Sequence, residues 1–372
     1  MFALTEEQQQ VRDSLRRLLA ADYPFERRRG IAASARGWSE ETWRDLAGLG
    51  VLALTLPEAH GGLGGGAMDT FVVMEEGGRA LLLEPWLATV VMGAGLIARA
   101  GSAAQCAVLL PAVGAGDCQL ALAHYEPGAR HALDAVACKA RRDGTGWVID
   151  GAKTFVLNGA CADPLIVSAR TGRGLSLFLV DRGARGLTLR GYPMYDARHA
   201  ADLQLAGVRV DAGALLGEEG AAAPHVAATI DAAIAASCAD AVGAMDALLG
   251  MTGQYLKTRK QFGVPIGSFQ VLQHRMADML LEAEAARSMA LLAAQGVERA
   301  VPAERSRIVS AAKLRVGEAA RFVGQQAVQL HGGIGVTDEL AVSHYFKRLT
   351  MIELAFGDTD YHLDAFSRQL FD

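Results

Sequence analysis

The hydrophobic period of the chain changes twice, and this limits the folds open to it. Over the first third, apolar residues keep helical spacing: Val11, Leu15, Leu18 and Leu19 recur at i, i+4, i+7 and i+8. Thr5, with Gln8 three residues on, has the form of a capping box. Trp43 to Leu49 and Thr70 to Leu82 read as further helices. From about Leu120 the runs shorten to strand length, at Val136 to Ala140, Trp147 to Asp150, Lys153 to Leu157, Leu165 to Ala169 and Leu175 to Val180. Leu187 to Leu189 and Ala201 to Val210 extend the set, and turns such as Asp143-Gly144 break it. After Gly217 helical spacing returns over Pro224 to Leu256, Ser268 to Gln295, Ala303 to Leu330 and His344 to Ala355. In the third of these, Ile308, Ala312, Val316, Ala319, Val323, Ala327 and Leu330 form one apolar stripe, as in a bundle helix. This order argues against a doubly wound fold, which alternates strand and helix. The expectation is a multidomain α+β protein. It has an N-terminal helical domain over 1–116, a middle antiparallel β barrel or sandwich over 117–217, and a C-terminal four-helix bundle over 218–372.

At 372 residues and 51% hydrophobic, the chain has ample core and no disordered composition. A net charge of −5 gives no basic footprint for nucleic acid or an anionic membrane. The five cysteines are scattered, without a C-x-x-C pair, so neither a zinc site nor a disulfide framework is expected. They read as free thiols in a reducing compartment. The polar, acidic N-terminus lacks the order of a signal peptide, and the apolar run Trp86 to Ala98 is too short to span a bilayer. A cytoplasmic protein is expected. The cluster Gly61-Gly62-Leu63-Gly64-Gly65-Gly66 lacks the Gly-Lys-Ser/Thr of a phosphate loop and reads as a turn.

Four segments carry a resemblance. Arg259-Lys260-Gln261-Phe262-Gly263-Val264-Pro265-Ile266-Gly267-Ser268-Phe269-Gln270 resembles the R-x-x-F-G-x-P-I-x-x-F-Q signature of acyl-CoA dehydrogenases. Gln329-Leu330-His331-Gly332-Gly333-Ile334-Gly335 is similar to their Q-x-x-G-G-x-G segment. Trp147 to Lys153, Asn158-Gly159 and Ala162-Asp163 follow their middle-domain run, and Glu126-Pro127-Gly128 matches part of T-E-P-G. Together they cover most of the chain in the family's order. The resemblance implies FAD, an acyl-CoA substrate, fatty acid metabolism and an electron-accepting flavoprotein. It also implies cofactor binding by Arg259, Gln261, Phe262, Phe269, Gln270, Gln329, Gly332 and Gly333, reaching the adenosine half of an FAD held mainly by a neighbouring subunit. The chemistry suits this: a guanidinium fork for pyrophosphate, aromatic faces, an amide, and glycine N–H groups open to close approach. Tyr255 to Arg259, His344 to Ile352 and Phe356-Gly357-Asp358 further resemble the small subunit of two-component pimeloyl-CoA dehydrogenases.

The same resemblance exposes departures. The family's usual base is the Glu of an E-G-T motif, and Gly357 places Phe356 there. The alternative base position falls at or near Ala233. Tyr125 stands for the T-E-P threonine, and Leu157 replaces a hydroxyl expected near the flavin. Asp358, Asp360 and Glu353 remain as displaced carboxylates, Asp358 being the catalytic candidate. The leading expectation is a subunit of a heterotetramer with a large acyl-CoA dehydrogenase subunit that supplies the base. The alternatives are a homo-oligomeric flavin enzyme with a displaced base, including a related flavin oxidase or monooxygenase, and a non-catalytic scaffold.

Overall fold

The computed structural model describes residues 4–299 and 301–371 and divides the chain into two compact units. In chain order the first helices are α1 (Glu6–Asp22), α2 (Phe25–Ala32), α3 (Glu40–Gly48) and α4 (Ala67–Ala80). A π-helical stretch, Leu87–Ala94, leads into α5 (Gly95–Ala100), and α6 (Ala103–Ala115) follows. The strands are β1 (Ala121–Ala123), β2 (Lys139–Asp143), β3 (Gly146–Leu157), β4 (Leu165–Thr171), β5 (Gly174–Val180), β6 (Leu187–Pro193), β7 (His199–Val210) and β8 (Leu215–Leu216). Then come α7 (Ala223–Thr258), a small hairpin of β9 (Lys260–Gln261) and β10 (Val264–Pro265), α8 (Gln270–Arg299), α9 (Pro302–His331), α10 (Ala341–Leu354) and α11 (Thr359–Phe371).

The helical unit comprises residues up to Arg29, Ala67–Leu82 and Ile234 onward. The Thr5 hydroxyl accepts from the Gln8 N–H, and the Gln8 side chain accepts from the Thr5 N–H, so the capping box starts α1. The stripe on α9 is core: Ala312, Val316, Ala319, Val323 and Ala327 are fully buried. Each buried valine contributes roughly 1.5–3 kcal/mol over leaving it in water. Where α4 crosses α7, the backbones nearly touch. A Cβ on Gly78 would lie 2.0 Å from the Asp240 carbonyl oxygen, and one on Gly243 1.8 Å from that of Glu75. Only glycine fits either place. Beside this crossing, Arg348 pairs with Asp240 at 3.0 Å, both 2% exposed, and donates to the Leu82 carbonyl. α11, which the apolar pattern does not predict, adds a fifth long helix to the C-terminal segment and packs on α9. α7 is long and apolar enough to cross a membrane by composition, but 78% of its apolar window is buried in the protein. It is a core helix.

The second unit, Gly30–Gly66 and Leu83–Ala233, is built on one eight-stranded sheet. The order β6-β7-β3-β2-β4-β5-β8 leaves β6 and β8 at opposite edges, and β1 pairs with β4. The sheet is mixed, not wholly antiparallel: β1 runs parallel to β4, and β2 meets β4 in parallel at Lys139 and Arg170. The helical connection before β1 and the excursion between β1 and β2 free these strands from hairpin geometry, which alone enforces antiparallel pairing. The glycine cluster is a turn. The N–H groups of Gly61, Gly62, Gly64 and Gly65 are spent on the carbonyls of Glu58, Pro57, Leu56 and Leu54. None of these four is left to cradle a phosphate.

Candidate cofactor and active-site elements

In the helical unit, the end of α7 carries the hairpin. Phe262 and Gly263 are its two turn residues, both at positive φ, as a two-residue turn matching the strand twist requires. This puts Phe262 at the tip, 92% exposed, with its ring edge-on to Phe269 at 6.3 Å. Arg259, Gln261 and Gln270 are exposed around it, and Gln270 opens α8. Tyr255, one turn before Arg259, stacks on His331 at 4.4 Å and donates its hydroxyl to the His331 carbonyl. That contact ties the base of the hairpin to the end of α9. Gln329, Gly332 and Gly333 are exposed there, and a Cβ on either glycine would meet nothing within 4 Å. All eight sequence-nominated binding residues are therefore on the surface of one unit, joined through Tyr255 and His331. His331 is buried, its Nδ1 donates to the Ala327 carbonyl, and burial lowers its pKa. It serves the backbone.

The position of the expected base lies on the turn between α10 and α11. Phe356 is 5% exposed, at φ +60. Lys313, buried on α9, donates 2.7 Å bonds to the carbonyls of Glu353 and Gly357. His362 spans the Ser310 hydroxyl and the Phe356 carbonyl, each at 3.2 Å, so its Nε2 carries the proton toward Phe356. A Cβ on Gly357 would come 2.4 Å from the Tyr361 ring. These contacts over-determine a backbone conformation that phenylalanine alone disfavours. Asp358 Oδ1 accepts the Tyr361 N–H at 2.8 Å and so caps α11. Glu353 is buried and receives Arg321 and the Thr359 N–H and hydroxyl. Asp360 is exposed, and Ala233 is fully buried in the sheet-bearing unit.

In that unit, β1 leads into His124, Tyr125 and Glu126. Lys153 reaches from β3 to the Glu126 carboxylate at 2.6 Å, the Ser168 hydroxyl at 2.9 Å and the His124 carbonyl at 3.2 Å. Burial lowers the Lys153 pKa, partly countered by Cys138 and Glu126. Burial works to raise that of Glu126, but Lys153 and the N–H groups of Ala137 and Cys138 outweigh it and leave it low. His124 is brought down to about 4 by burial and by Lys153, so it is neutral at pH 7. On β3, Phe155 adopts φ +53 where the register against β7 shifts. Asp202 holds that bulge, accepting from the Thr154 and Tyr192 hydroxyls and the Phe155 N–H. Thr154 N–H in turn donates to the Tyr125 carbonyl, so Tyr125 and Leu157, both half-buried, stand on a fixed frame.

Family profiles match end to end: the acyl-CoA dehydrogenase N-terminal domain over 5–117, the middle domain over 121–208 and the C-terminal domain over 224–371. The chain belongs to the acyl-CoA dehydrogenase family. It is 30% identical to the probable acyl-CoA dehydrogenase YngJ of Bacillus subtilis, covering 99% of each chain. It is also 30% identical to the mitochondrial long-chain specific acyl-CoA dehydrogenase of Rattus norvegicus, over 89% of this chain and 79% of that one. Among solved structures, a variant of the Tcur3481–Tcur3483 steroid ACAD shares 33% identity, with TM-score 0.89 over 98% of both chains. The ChsE4–ChsE5 complex from Mycobacterium tuberculosis shares 28%, with TM-score 0.90 over 100% of this chain and 99% of that one. The residues behind the narrower pimeloyl-CoA resemblance largely hold this acyl-CoA dehydrogenase together: Arg348 pairs with Asp240, and His344 meets Arg28. Sequence reasoning missed Lys313 and His362. Lys313 sits beside Ala312 in the apolar stripe, a polar residue where core is expected, and that was its one signal.

Proposed function

We propose that this chain is a subunit of an FAD-dependent acyl-CoA dehydrogenase that forms the α,β double bond of an acyl-CoA thioester. It acts in the cytoplasm as part of a heterotetramer with a larger subunit that supplies the base. The observation that carries the reading is Phe356, an apolar side chain locked into the base position. The donor set fits FAD: Arg259 offers a guanidinium to the pyrophosphate, Gln270 an amide, Phe262 an aromatic face, and Gly332 and Gly333 unobstructed backbone. FAD, when bound, supplies the acceptor for the hydride leaving the β-carbon. The α-proton needs a carboxylate, which the partner provides. Reoxidation falls to an electron-accepting flavoprotein. Two structural relatives, Tcur3481–Tcur3483 and ChsE4–ChsE5, are named as pairs, which favours the two-subunit reading over a scaffold.

The test is to purify the chain alone and with a co-expressed large subunit, then measure flavin absorbance and enoyl-CoA formation. The thioester panel includes pimeloyl-CoA, implied by the subgroup resemblance, and a steroid acyl-CoA, after the Tcur3481–Tcur3483 relative. The pair should turn over and the isolated chain should not. Arg259→Ala should cost the pair ~1.5–3 kcal/mol of FAD affinity, the worth of a charge-assisted hydrogen bond. Robust turnover by the isolated chain would refute the reading.

A further inference from the structure

The sheet-bearing unit contains a cavity of about 980 Å³ that none of the residues assigned to cofactor or base enters. Its walls come from 32–44, from 115–119 at the end of α6, from 160–163, from Arg182, and from β6 and β7. Its size is at the upper end for small-molecule sites, which run to roughly 1,000 Å³.

The lining is rich in donors without acceptors. Gln119 is 8% exposed; its amide oxygen accepts from Asn158, and its amide nitrogen has no acceptor. The Trp38 indole N–H, also buried, has none. Arg36 and Arg44 share a single carboxylate, that of Glu40, while the Arg182 guanidinium gives one bond, to the Ala160 carbonyl. A guanidinium has five N–H groups, so most of these fifteen or so donors have no acceptor among the described residues and are met by solvent, available to an incoming anion. Three carboxylates also line the cavity: both Glu40 oxygens are taken, Asp163 accepts the Arg182 backbone N–H, and Asp117 is exposed at the rim. Aromatic side chains stand among the donors. Trp38 packs edge-on to Trp43, Arg36 lies over its ring at 5.8 Å, and Tyr192 and His199 complete the opposite wall. The wall segment is firmly seated, because Gly37 lies so close to His199 that a Cβ would come 2.3 Å from the imidazole.

Unspent guanidinium donors recognise an oxyanion, and flat aromatic walls select a flat body. The geometry points to a binding site in this cavity for a small aromatic carboxylate, separate from the dehydrogenase chemistry. The carboxylate lies toward Arg44 and Arg182 and the ring against Trp38 and Tyr192. The buried N–H groups of Gln119 and Trp38 add two neutral donors to the same lining.

Benzoate is the probe, titrated into the full-length chain and followed by tryptophan fluorescence, to which Trp38 and Trp43 contribute two of four indoles. Benzoate should give a saturable change, with benzamide, acetate and inorganic phosphate each binding at least tenfold more weakly. Arg44→Gln with Arg182→Gln should weaken benzoate about tenfold, and Trp38→Phe several-fold, with circular dichroism unchanged, since both arginines are surface residues. FAD content and turnover of the assembled enzyme should be unaffected. No saturation by benzoate overturns the site, and undiminished affinity in the double variant places binding elsewhere and also overturns it. Phosphate or acetate binding as tightly as benzoate overturns the aromatic-carboxylate class.

Discussion

Replacing Lys313 by methionine should abolish a pH dependence of stability that the native chain carries. Lys313 is 1% exposed, and burial lowers its pKa from 10.5 to about 8, against the opposing pull of Glu353 and Asp358. In the unfolded chain the amine keeps the ordinary value. Between pH 8 and pH 10.5 the unfolded state therefore binds more protons than the native state, and stability rises with pH across that window. Near pH 7 both states are protonated and the full cost of burying the charge is present. At 1.36 kcal/mol per pKa unit, the relief amounts to ~3 kcal/mol. Neutralisation does not dissolve the clamp, because a neutral amine keeps two hydrogens for the carbonyls of Glu353 and Gly357. Cys238, pushed up to about 12, remains a thiol throughout. The assay is urea unfolding of the native chain and of Lys313→Met at intervals from pH 7 to 10.5. Taking the difference at each pH cancels the tyrosines and exposed lysines. The native chain should gain ~3 kcal/mol on the variant over that range. A difference constant to within about 0.5 kcal/mol would show that Lys313 carries no desolvation cost and would refute the reasoning.

Three further outcomes follow from the same geometry. Lys153→Met should cost ~3–5 kcal/mol by leaving the buried Glu126 carboxylate without its cation. It should also raise the His124 pKa by removing a neighbouring charge, as read by NMR titration of the ring protons. Gly37→Ala should cost ~1–2 kcal/mol in thermal unfolding, since it places a Cβ at φ +70 against His199. Asp358→Asn should leave stability within about 0.5 kcal/mol, because asparagine caps a helix as well as aspartate does. Turnover of the assembled pair should also be unchanged in Asp358→Asn, and a loss there would make Asp358 the base after all.

Periodicity carried most of the fold. The α9 stripe and the capping box at Thr5 follow from side-chain spacing alone, and both are in place. α11 escaped because its buried anchor, His362, is polar and works through hydrogen bonds to Ser310 and Phe356. The parallel pairing of β1 with β4 escaped for a different reason: strand direction is set by connections, and a three-residue strand has no pattern of its own. For the site, motif residues pointed to the hairpin and the Gly332–Gly333 segment. That they belong together depends on Tyr255 stacking on His331, a contact between residues 76 positions apart in the chain. The Glu126–Lys153 pair was visible only as two motif residues, since nothing in either segment states that the strands carrying them are neighbours.

Phe262 and Phe356 both sit at positive φ, +53 and +60, and both incur its cost. For a bulky side chain in this region that is of order 1–3 kcal/mol. At Phe356 the chain offsets the cost internally, through burial of the ring and the bonds from Lys313 and His362 to the surrounding carbonyls. At Phe262 the offset is smaller, limited to the hairpin pairing and the edge-on contact with Phe269. The ring is 92% exposed, forgoing the roughly 1.5–3 kcal/mol that burial would return. On the reading proposed above, burial of this exposed ring comes from the partner that covers it. A second subunit holding FAD, as proposed above, would bury Phe262 and engage Arg259 and Gln270 together. The same assembly would supply the carboxylate that Phe356 cannot. On that proposal, one phenylalanine closes this chain's own base position, and the other is left open for a partner.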